Sequence, residues 1–420
     1  MRLIALGVAG LLLLSGCAGR LEPVDAPIEV TPPPSQAQQW AELEAIRSDD
    51  WFHPLNSGNE ALDWRLRAID SAVDSIDLQT FIWDLDGSGA LIKQHLLDAA
   101  ERGVFVRILV DDSFILDADE ELLSIDNRPG VEIKVFNPYK RRSSSAAKRE
   151  ILNLGEFHRL DHRMHNKVMV IDNRVAVMGG RNLADHYFGY DERDNFRDME
   201  VIVGGSTVHD LAGGFDKYWN NEWSFPISSV MEQRSGPGTP QAVGKTHTLP
   251  PDAHREQTVQ ERQLAWSELA KSAHSGAAIL LLDEPPTAYP GEQGQAPVQV
   301  GLRLLEEIDA ARKEIILVSA YLIPTPQLEE AIQRAISRGV GVRILTNSIN
   351  SNNHVTAHSA YRRHLRTLLE MGVDVHEVRD DAEDRHFYIE SPVEDKSLCL
   401  HAKVLVFDNN RVYLGSANLD

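Results

Sequence analysis

Cysteine is almost absent from this chain of 420 residues, which contains only Cys17 and Cys399. A disulfide framework and a cysteine-rich metal site are therefore excluded as the basis of the fold. Positive charge is also scarce, because 42 Lys and Arg face 63 Asp and Glu and leave a net charge of −21. Such an acidic surface does not attract nucleic acid in general, so no nucleic-acid partner is expected and an anionic ligand needs a local basic pocket.

The N-terminus carries an apolar segment, Leu3 to Leu14, which is too short for a comfortable membrane span and is typical of a signal peptide. It ends in Leu14-Ser15-Gly16-Cys17, which resembles the bacterial lipobox. That resemblance implies cleavage before Cys17 and acylation of its thiol, and Ala18 resembles the outer-membrane sorting pattern. We therefore expect a membrane-anchored lipoprotein facing the periplasm, in the outer membrane. An uncleaved signal or a structural cysteine is the alternative.

Composition predicts five segments: a signal peptide (1–16), a lipid-anchored tether (17–39), a first α/β domain (40–228), a linker with loops (229–298) and a second α/β domain (299–420). The tether is poor in large apolar residues and contains three consecutive prolines, and the linker is rich in Pro, Gly, Gln and charge. The first domain continues from Leu183 to Trp223, and nothing comparable follows Leu419. The second domain is therefore expected to be incomplete at its C-terminus.

The two domains have the pattern of an internal repeat. In each, a strand, an amphipathic helix ending before Gly and a second strand follow one another, which predicts a sheet with helices on its faces. Arg102-Gly103-Val104 recurs as Arg338-Gly339-Val340, 236 positions later. The predicted strand, helix and strand are 76–82, 91–102 and 104–110 in the first copy, and 315–321, 328–338 and 340–345 in the second.

A short motif occurs once in each copy. His165-Asn166-Lys167 precedes Asp172, and His401-Ala402-Lys403 precedes Asp408, again 236 positions apart. Gly179-Gly180-Arg181-Asn182 and Gly415-Ser416-Ala417-Asn418 follow at the same separation. Two copies in register with an independent structural repeat are not plausibly chance.

The motif geometry follows from the two-residue period of a strand. Each His and Lys lie on one face, whereas Asp172 and Asp408 lie on the other, which favours a structural role for these two Asp. Turn residues follow each Asp, so each motif strand is expected to double back and bring its Gly and Asn residues beside the His and Lys. A pseudo-twofold axis would then gather two His, two Lys and two Asn in one cleft.

This set of side chains suits phosphodiester transfer. A neutral imidazole can attack phosphorus, a protonated one can supply the leaving group's proton, and Lys and Asn can hold the non-bridging oxygens. No metal or other cofactor is required, because two ammonium groups supply the positive charge. Two alternatives stay open: a zinc site formed by His165, His401 and Asp residues, and mere turn-capping by Asn182 and Asn418.

From about residue 45 to the end, the duplicated His-x-Lys-x4-Asp with Gly-Gly/Ser-x-Asn resembles the phospholipase D superfamily. The resemblance implies two α/β units, each a mixed sheet flanked by helices, packed as a pseudo-twofold pseudodimer. It also implies His165 as the nucleophile that forms a phosphohistidine and His401 as the general acid, although the two roles could be reversed. Asp198 is the best match to the acid that orients His165, with Glu200 as the alternative. The implied catalytic set is His165, Lys167, Asp172, Asn182, Asp198, His401, Lys403, Asp408 and Asn418.

Within that superfamily, the sequence from Arg159 to Lys167 and the Gly-Gly-Arg-Asn segment are similar to bacterial type C cardiolipin synthases. This implies a phosphatidyltransferase that acts on phosphatidylglycerol, with phosphatidylethanolamine as another candidate substrate. Between Lys140 and Lys167 the local charge is positive, which either marks contact with lipid phosphates or belongs to a solvated loop. The expected substrate-binding residues are Arg159, Arg163, Gly179, Gly180 and Ser416.

Three other functions remain open: hydrolysis of phospholipid to phosphatidic acid, a nuclease of the same superfamily, and a non-catalytic lipoprotein that binds lipid. Two departures from the family pattern bear on the choice. Gly180 stands where the second copy has Ser416, so the first half lacks one hydroxyl. The second copy is also expected to lack the acid that orients His401.

Overall fold

The computed structural model describes residues 21–416 except 23, 114, 116–117, 142–150, 154–161, 234–248, 250–256, 279, 281–284, 286–298, 354, 380–381, 384, 386–388 and 390–392. The signal segment, Cys17, Arg159 and Asn418 lie outside these residues. In the described part of the chain, no helix combines the length and the apolar character needed to cross a membrane.

The described residues form an α/β structure with three sheets. The strands are β1 (Trp51–Leu55), β2 (Ser75–Thr80), β3 (Phe105–Asp111), β4 (Val131–Phe136), β5 (Val168–Ile171), β6 (Val175–Gly179), β7 (Asp194–Arg197), β8 (Glu200–Gly204), β9 (Ser224–Pro226), β10 (His274–Ser275), β11 (Glu314–Ser319), β12 (Gly341–Asn347), β13 (Asp374–Val378), β14 (Ser397–Leu400), β15 (Lys403–Phe407) and β16 (Arg411–Leu414). The helices are α1 (Gln38–Ile46), α2 (Gly58–Ser71), α3 (Gly87–Glu101), α4 (Asp119–Asp126), α5 (Asp185–Phe188), α6 (Thr207–Trp219), α7 (Ile227–Gln233), α8 (Val259–Ser272), α9 (Gln299–Ala310), α10 (Pro326–Ser337) and α11 (Val355–Met371).

The predicted repeat is present in both halves. In the first, β2 and β3 are parallel and α3 connects them; in the second, β11 and β12 are parallel and α10 connects them. The motif strand pairs antiparallel with the first strand of each unit, as β5 with β2 and β15 with β11. Gly103 and Gly339 follow the connecting helices with φ of +97° and +84°, the left-handed conformation that ends a helix after its last turn.

Each motif strand doubles back as predicted, β5 into β6 and β15 into β16. Asp172 and Asn173 turn the first hairpin with φ of 53° and 52°, and Asp408 and Asn409 turn the second with 55° and 58°. Short polar side chains tolerate this left-handed backbone better than other residues do. The turns therefore explain why an Asp-Asn pair stands at this point in both copies.

Two sheets supply most of the core. The first half has nine strands in the order β10-β1-β8-β6-β5-β2-β3-β4-β9, and the second has five in the order β13-β12-β11-β15-β16. Helix α6 packs on one face of the first sheet, where Val170, Ala176 and Leu211 are buried together. In the second half, Ile315, Ile344 and other buried strand residues pack with residues of α9, α10 and α11.

The segment expected to be a tether is bonded to the first domain over its described part. The Thr31 backbone N–H donates to the Asp216 carboxylate at 2.8 Å, and its hydroxyl donates to Asp77 at 2.8 Å. The Ser35 N–H donates to the carbonyl oxygen of Asp172. The described part of the expected tether (17–39) is therefore bonded to the first domain at these points, because short polar side chains and backbone N–H groups supply specific hydrogen bonds that a low apolar content does not reveal.

Part of the expected linker also belongs to the first domain. Helix α8 begins with a capping box formed by Thr258 and Glu261. It buries Trp266 against Trp40 and Trp64, with ring centroids 5.6 and 5.0 Å apart. Strand β10 then extends the first sheet at β1. The linker assignment fails for residues 257–275 because an aromatic contact between distant segments outweighs local composition.

A third sheet joins the two halves. Strand β7 of the first half pairs in parallel with β14 of the second, with Asp194 opposite Ser397 and Arg197 opposite Leu400. The backbone N–H groups of His401 and Ala402 then donate to the Arg197 carbonyl at 2.8 and 3.1 Å. The residues that immediately follow these two strands are therefore fixed against each other.

Candidate active site

His401 and Asp198 meet directly beyond the paired strands of the third sheet. Nδ1 of His401 lies 2.5 Å from Oδ2 of Asp198, and both side chains are buried. The Asp198 carboxylate also accepts a hydrogen bond from the Met199 N–H at 2.7 Å. An ionised carboxylate only accepts hydrogen bonds, so the neutral His401 ring carries its proton on Nδ1 and leaves a lone pair on Nε2.

His165 is also held by the opposite half. Its Nδ1 lies 2.9 Å from the backbone carbonyl oxygen of Ser416. A carbonyl oxygen can only accept, so the proton of the neutral ring again lies on Nδ1 and Nε2 is available as a nucleophile. The Phe81 ring packs edge-on against the imidazole at 4.8 Å between centroids. Each imidazole thus depends on an oxygen atom from the other repeat.

The two motif lysines are buried beside the imidazoles. Nζ of Lys167 donates to the His165 carbonyl at 2.7 Å. Nζ of Lys403 donates to the His401 carbonyl and lies 3.0 and 3.2 Å from Nδ1 and Nε2 of the His401 ring. Two lysine ammonium groups therefore lie beside the two imidazoles, where they can attract an anionic group.

Burial and the two lysines lower the pKa values of the two imidazoles at this site. Burial, followed by Lys167 and Lys403, holds the pKa of His165 well below its usual value. Burial and then Lys403 lower the pKa of His401 to about 4, against the opposing effect of Asp198. Burial and then Lys403 hold the pKa of Lys167 well below its usual value. Both imidazoles are therefore neutral at neutral pH in the ligand-free protein.

Asp198 remains ionised in this environment. Burial alone would raise the pKa of its carboxyl, but His401, Lys403 and Arg181 outweigh burial and hold it below its usual range. The expected pairing of Asp198 with His165 was wrong, because the parallel pairing of β7 with β14 delivers Asp198 to His401. Glu200, the alternative acid, is fully buried and pairs with Arg65 instead.

Asp172 and Asp408 do not reach the imidazoles through their described contacts. The Asp172 carboxylate accepts hydrogen bonds from the N–H groups of residues 73–75 and from Nε1 of Trp40. Asp408 accepts from the N–H groups of residues 312–314. Both carboxylates therefore anchor the start of the neighbouring strand, β2 or β11. Their inclusion in the catalytic set is corrected to the structural role that strand alternation favoured.

Asn182 bonds a tyrosine whose ring packs against His401. Its Oδ1 accepts from the Ile82 N–H at 3.1 Å and its Nδ2 donates to the Tyr187 hydroxyl at 2.6 Å. The Tyr187 ring lies 5.2 Å from the His401 ring, and Phe196 lies 5.0 Å from it. The described contacts give Asn182 a positioning role through Tyr187. Sequence reasoning missed Tyr187 and Phe196, although both follow the motif closely.

The two glycines of the first motif make room for neighbouring protein atoms. A Cβ on Gly180 would lie 2.2 Å from Oδ1 of Asp198, and a Cβ on Gly179 would lie 2.5 Å from the Met199 carbonyl oxygen. The hydroxyl of Ser416 therefore has no counterpart at Gly180 because the Asp198 carboxylate occupies that space. The described contact of Ser416 with the site is its backbone carbonyl on His165.

Arg163 packs beneath the segment that leads to His165. Its Nη1 donates to the Asn137 carbonyl at 3.0 Å and lies 3.4 Å from the Asp111 carboxylate. Asp111 also accepts from the Met164 N–H at 2.9 Å, directly before His165. These contacts support the backbone of the site, and the assignment of Arg163 to substrate binding stays a prediction.

A zinc ion bound at His401 would lie beside a positive charge. Among the residues that the structure describes, no three His, Cys, Asp or Glu side chains are arranged to hold a metal ion. Lys403 lies within 3.2 Å of both ring nitrogens of His401, and its ammonium group would repel a cation at the place where zinc would have to bind.

Comparison with known proteins fits this geometry. The family described as "Cardiolipin synthase, PLD-like domain" matches residues 66–219 and 304–420. Cardiolipin synthase C of Escherichia coli is 31% identical over 376 residues, which are 87% of this chain and 77% of that protein. An uncharacterized protein of Helicobacter pylori is 31% identical over 374 residues, which are 87% of this chain and 72% of that protein.

The fold also matches a solved structure. Phosphatidylserine synthase of Haemophilus influenzae aligns with a TM-score of 0.56 at 14% identity, over 91% of this chain and 83% of that one. At that identity the match shows the fold, which is the expected α/β architecture of two phospholipase D-like units. The chain therefore belongs to the cardiolipin synthase PLD-like domain family of the phospholipase D superfamily, and it is an enzyme of that superfamily's phosphatidyltransferase and phosphodiesterase class.

Proposed function

We propose that this protein is a membrane-tethered, cardiolipin synthase-like phosphatidyltransferase that works through a phosphohistidine on His165. The proposal rests on the hydrogen bond that each imidazole makes to an oxygen atom of the opposite repeat. His165 bonds a neutral carbonyl oxygen, which leaves Nε2 free to attack, whereas His401 bonds the Asp198 carboxylate, which stabilises an imidazolium. That difference favours His165 as nucleophile and His401 as the proton carrier.

In the first step, Nε2 of His165 attacks the phosphorus of a phosphatidylglycerol molecule. A P–N bond forms, the bond from phosphorus to the headgroup oxygen breaks, and protonated His401 gives its Nε2 proton to the departing glycerol. The pKa of His401, about 4 without ligand, has to rise for this step. An anionic phosphodiester beside Lys167 and Lys403 offsets their repulsion of the imidazolium and raises it.

In the second step, neutral His401 takes the proton from a hydroxyl of a second phosphatidylglycerol. The resulting oxygen attacks the phosphohistidine, the P–N bond breaks, and cardiolipin and free His165 result. Lys167 and Lys403 stabilise the charge that develops on the non-bridging oxygens in both steps. Phosphatidylethanolamine can replace the donor in the first step, because the headgroup leaves before the acceptor enters.

Similarity to a named synthase supports this choice of substrate. Cardiolipin synthase C of Escherichia coli shares 31% of its residues with this chain over most of both proteins. The motif residues His165, Lys167, His401 and Lys403 supply what phosphatidyl transfer requires: a nucleophile, a proton carrier and two cations. Phosphatidic acid formation, the competing outcome, needs the same residues and differs only in using water as acceptor.

Membrane attachment is proposed from the lipobox-like segment that ends at Cys17. Acylation of Cys17 would anchor the protein at a membrane facing the periplasm, with the outer membrane favoured by Ala18. The hydrogen bonds of Thr31 and Ser35 to the first domain would then keep the body close to that surface. Labelling cells with radioactive palmitate tests this step: the wild-type protein should be labelled, and incorporation into Cys17→Ser at the same level would refute it.

Vesicles provide the test of the reaction. The purified protein is incubated with vesicles of labelled phosphatidylglycerol, with and without phosphatidylethanolamine, and the lipid products are separated. We expect cardiolipin and free glycerol from wild type and neither from His165→Ala. Phosphatidic acid without cardiolipin would show hydrolysis instead. Unchanged lipid turnover in His165→Ala, or cleavage of DNA in place of lipid, would contradict the proposal.

A further inference from the structure

Arg181 is a buried residue that bonds the backbone of two residues in contact with His401. Its side chain is 1% exposed and donates hydrogen bonds to the carbonyl oxygens of four residues that belong to three separate segments. Nη2 donates to Asp198 at 2.6 Å and Nε donates to Tyr187 at 3.3 Å. Two further bonds reach Leu55 and Asn56 at 3.0 and 2.9 Å. A planar guanidinium with five N–H donors in a fixed fork is the side chain that can make this set of contacts.

Two of these four partners touch the His401 ring. The Asp198 carboxylate bonds its Nδ1, and the Tyr187 ring packs edge-on against it with 5.2 Å between centroids. Arg181 itself makes no described contact with His401. Its hydrogen bonds instead fix the backbone from which both contacting side chains extend.

The charge of Arg181 is balanced inside the protein. Glu200 is fully buried, lies 3.8 Å from Nη1 of Arg181 and pairs with Arg65, which is 2% exposed. Burial lowers the pKa of Arg181, and Glu200 and Asp198 counteract that effect. Burying an arginine costs folding free energy unless its charge is paired in this way. The arrangement therefore indicates a specific role for Arg181 beyond packing.

The sequence of the second repeat has no arginine at the position equivalent to Arg181. Position 417 corresponds to 181 at the common offset and is occupied by Ala. Among the described contacts, Nδ1 of His165 bonds the backbone carbonyl oxygen of Ser416, the residue before that position. The copy with Arg181 supplies the Asp198 carboxylate to His401, whereas the copy with Ala417 supplies the Ser416 backbone carbonyl to His165.

We propose that Arg181 is a positioning residue that sets the orientation and proton affinity of His401 by fixing Asp198 and Tyr187. Glu200 and Arg65 hold Arg181 in place as a buried chain of alternating charge. The kinetic part of this inference rests on the proposed transferase function, whereas the spectroscopic part depends only on the structure.

Arg181→Lys keeps the charge and removes the fork. We expect it to lower kcat about 10- to 100-fold with little change in KM, because proton transfer by His401 is impaired while lipid binding is retained. The matched control is Arg107→Lys. Arg107 is equally buried at 1% exposure and pairs with Asp77 and Asp216, but it has no described bond to Asp198 or Tyr187. This control should leave kcat unchanged.

A double-mutant cycle separates positioning from general destabilisation. In an Asp198→Asn background, Arg181→Lys should reduce kcat less than it does in wild type, because the Asp198–His401 contact, one of the two through which it acts, is already lost. Equal losses in both backgrounds would overturn the proposal. If Arg181→Lys does not fold, Arg181→Gln replaces it, since that variant removes the fork and leaves the buried Arg65–Glu200 pair intact.

Nitrogen NMR of protein labelled in its histidines tests the same inference without substrate. The His401 resonances are assigned from their absence in His401→Gln. We expect Arg181→Lys to shift the Nδ1 signal of His401 and its titration, and Arg107→Lys to leave both in place. A folded Arg181→Lys with the wild-type His401 signal and wild-type kcat would show the inference to be false. If phosphatidyl transfer itself is not observed, the NMR result still decides it.

Discussion

His401 and Asp198 form a 2.5 Å contact although 203 positions separate them in the chain. The contact crosses between the two repeats, and β7 and β14 create it by pairing in parallel just before each residue. The acid of the first half therefore serves the imidazole of the second. The geometry of the candidate site depends on how the halves are joined, and not only on the motif in each.

The two imidazoles should differ in what their loss prevents. In His165→Ala no covalent adduct can form, so mass spectrometry after quenching should find no phosphatidyl group on the protein. In His401→Ala both steps lose their proton carrier, so turnover should fall about 10²- to 10⁴-fold, and any adduct that still forms should lie on His165. An adduct on His401 in the His165→Ala protein would mean that the roles are reversed.

Gly180→Ser should damage the site through Asp198. A Cβ at this position would lie 2.2 Å from Oδ1 of Asp198, so the carboxylate has to leave Nδ1 of His401. We expect kcat to fall about 10²-fold or more. Gly213→Ser is the matched control, because a Cβ there meets no atom within 4 Å. Equal activity of the two variants would contradict the assigned role of Gly180.

Asp172→Ala should destabilise the fold, with any loss of transfer following from unfolding. The substitution leaves the N–H groups of residues 73–75 and Nε1 of Trp40 without their acceptor, which costs about 3 kcal/mol of unfolding free energy. Asp408→Ala should lower Tm less, because its partners are more exposed. Denaturant unfolding and vesicle assays below Tm provide the measurement. A stable but inactive Asp172→Ala protein would argue for direct participation of Asp172.

The contribution of His401 to stability should be lost as the pH drops from about 6.5 to 4. The pKa of His401 is lowered to about 4 in the folded protein, so between these values the unfolded chain binds the extra proton and is favoured. Asp198 does not counteract this, since its pKa is held below the usual carboxyl range and its contribution is lost only at lower pH. Unfolding of wild type and His401→Gln should be followed across this range, and the variant should show the shallower pH slope. Identical slopes would contradict a neutral buried His401.

Local elements followed closely from the sequence. The predicted strand 76–82 corresponds to β2 (Ser75–Thr80), and the helix predicted for 328–338 corresponds to α10 (Pro326–Ser337). Periodicity and capping residues are local signals, so they predict helices and strands without knowledge of the tertiary fold. The segments predicted to be tether and linker were partly wrong because their anchors, such as Thr31 and Trp266, find partners far away in the chain.

The sequence by itself determined the duplicated motif and the hairpins that carry it, and it pointed to His and Lys as candidate reacting side chains, because these features depend on spacing and turn chemistry within a few residues. Only the tertiary structure decided that Asp198 holds His401, that Ser416 holds His165 through its backbone, and that Gly180 leaves space for a carboxylate. These relationships join residues from opposite repeats, or from separate loops, through strand pairing and buried charge. No local pattern records which distant strand a segment will pair with.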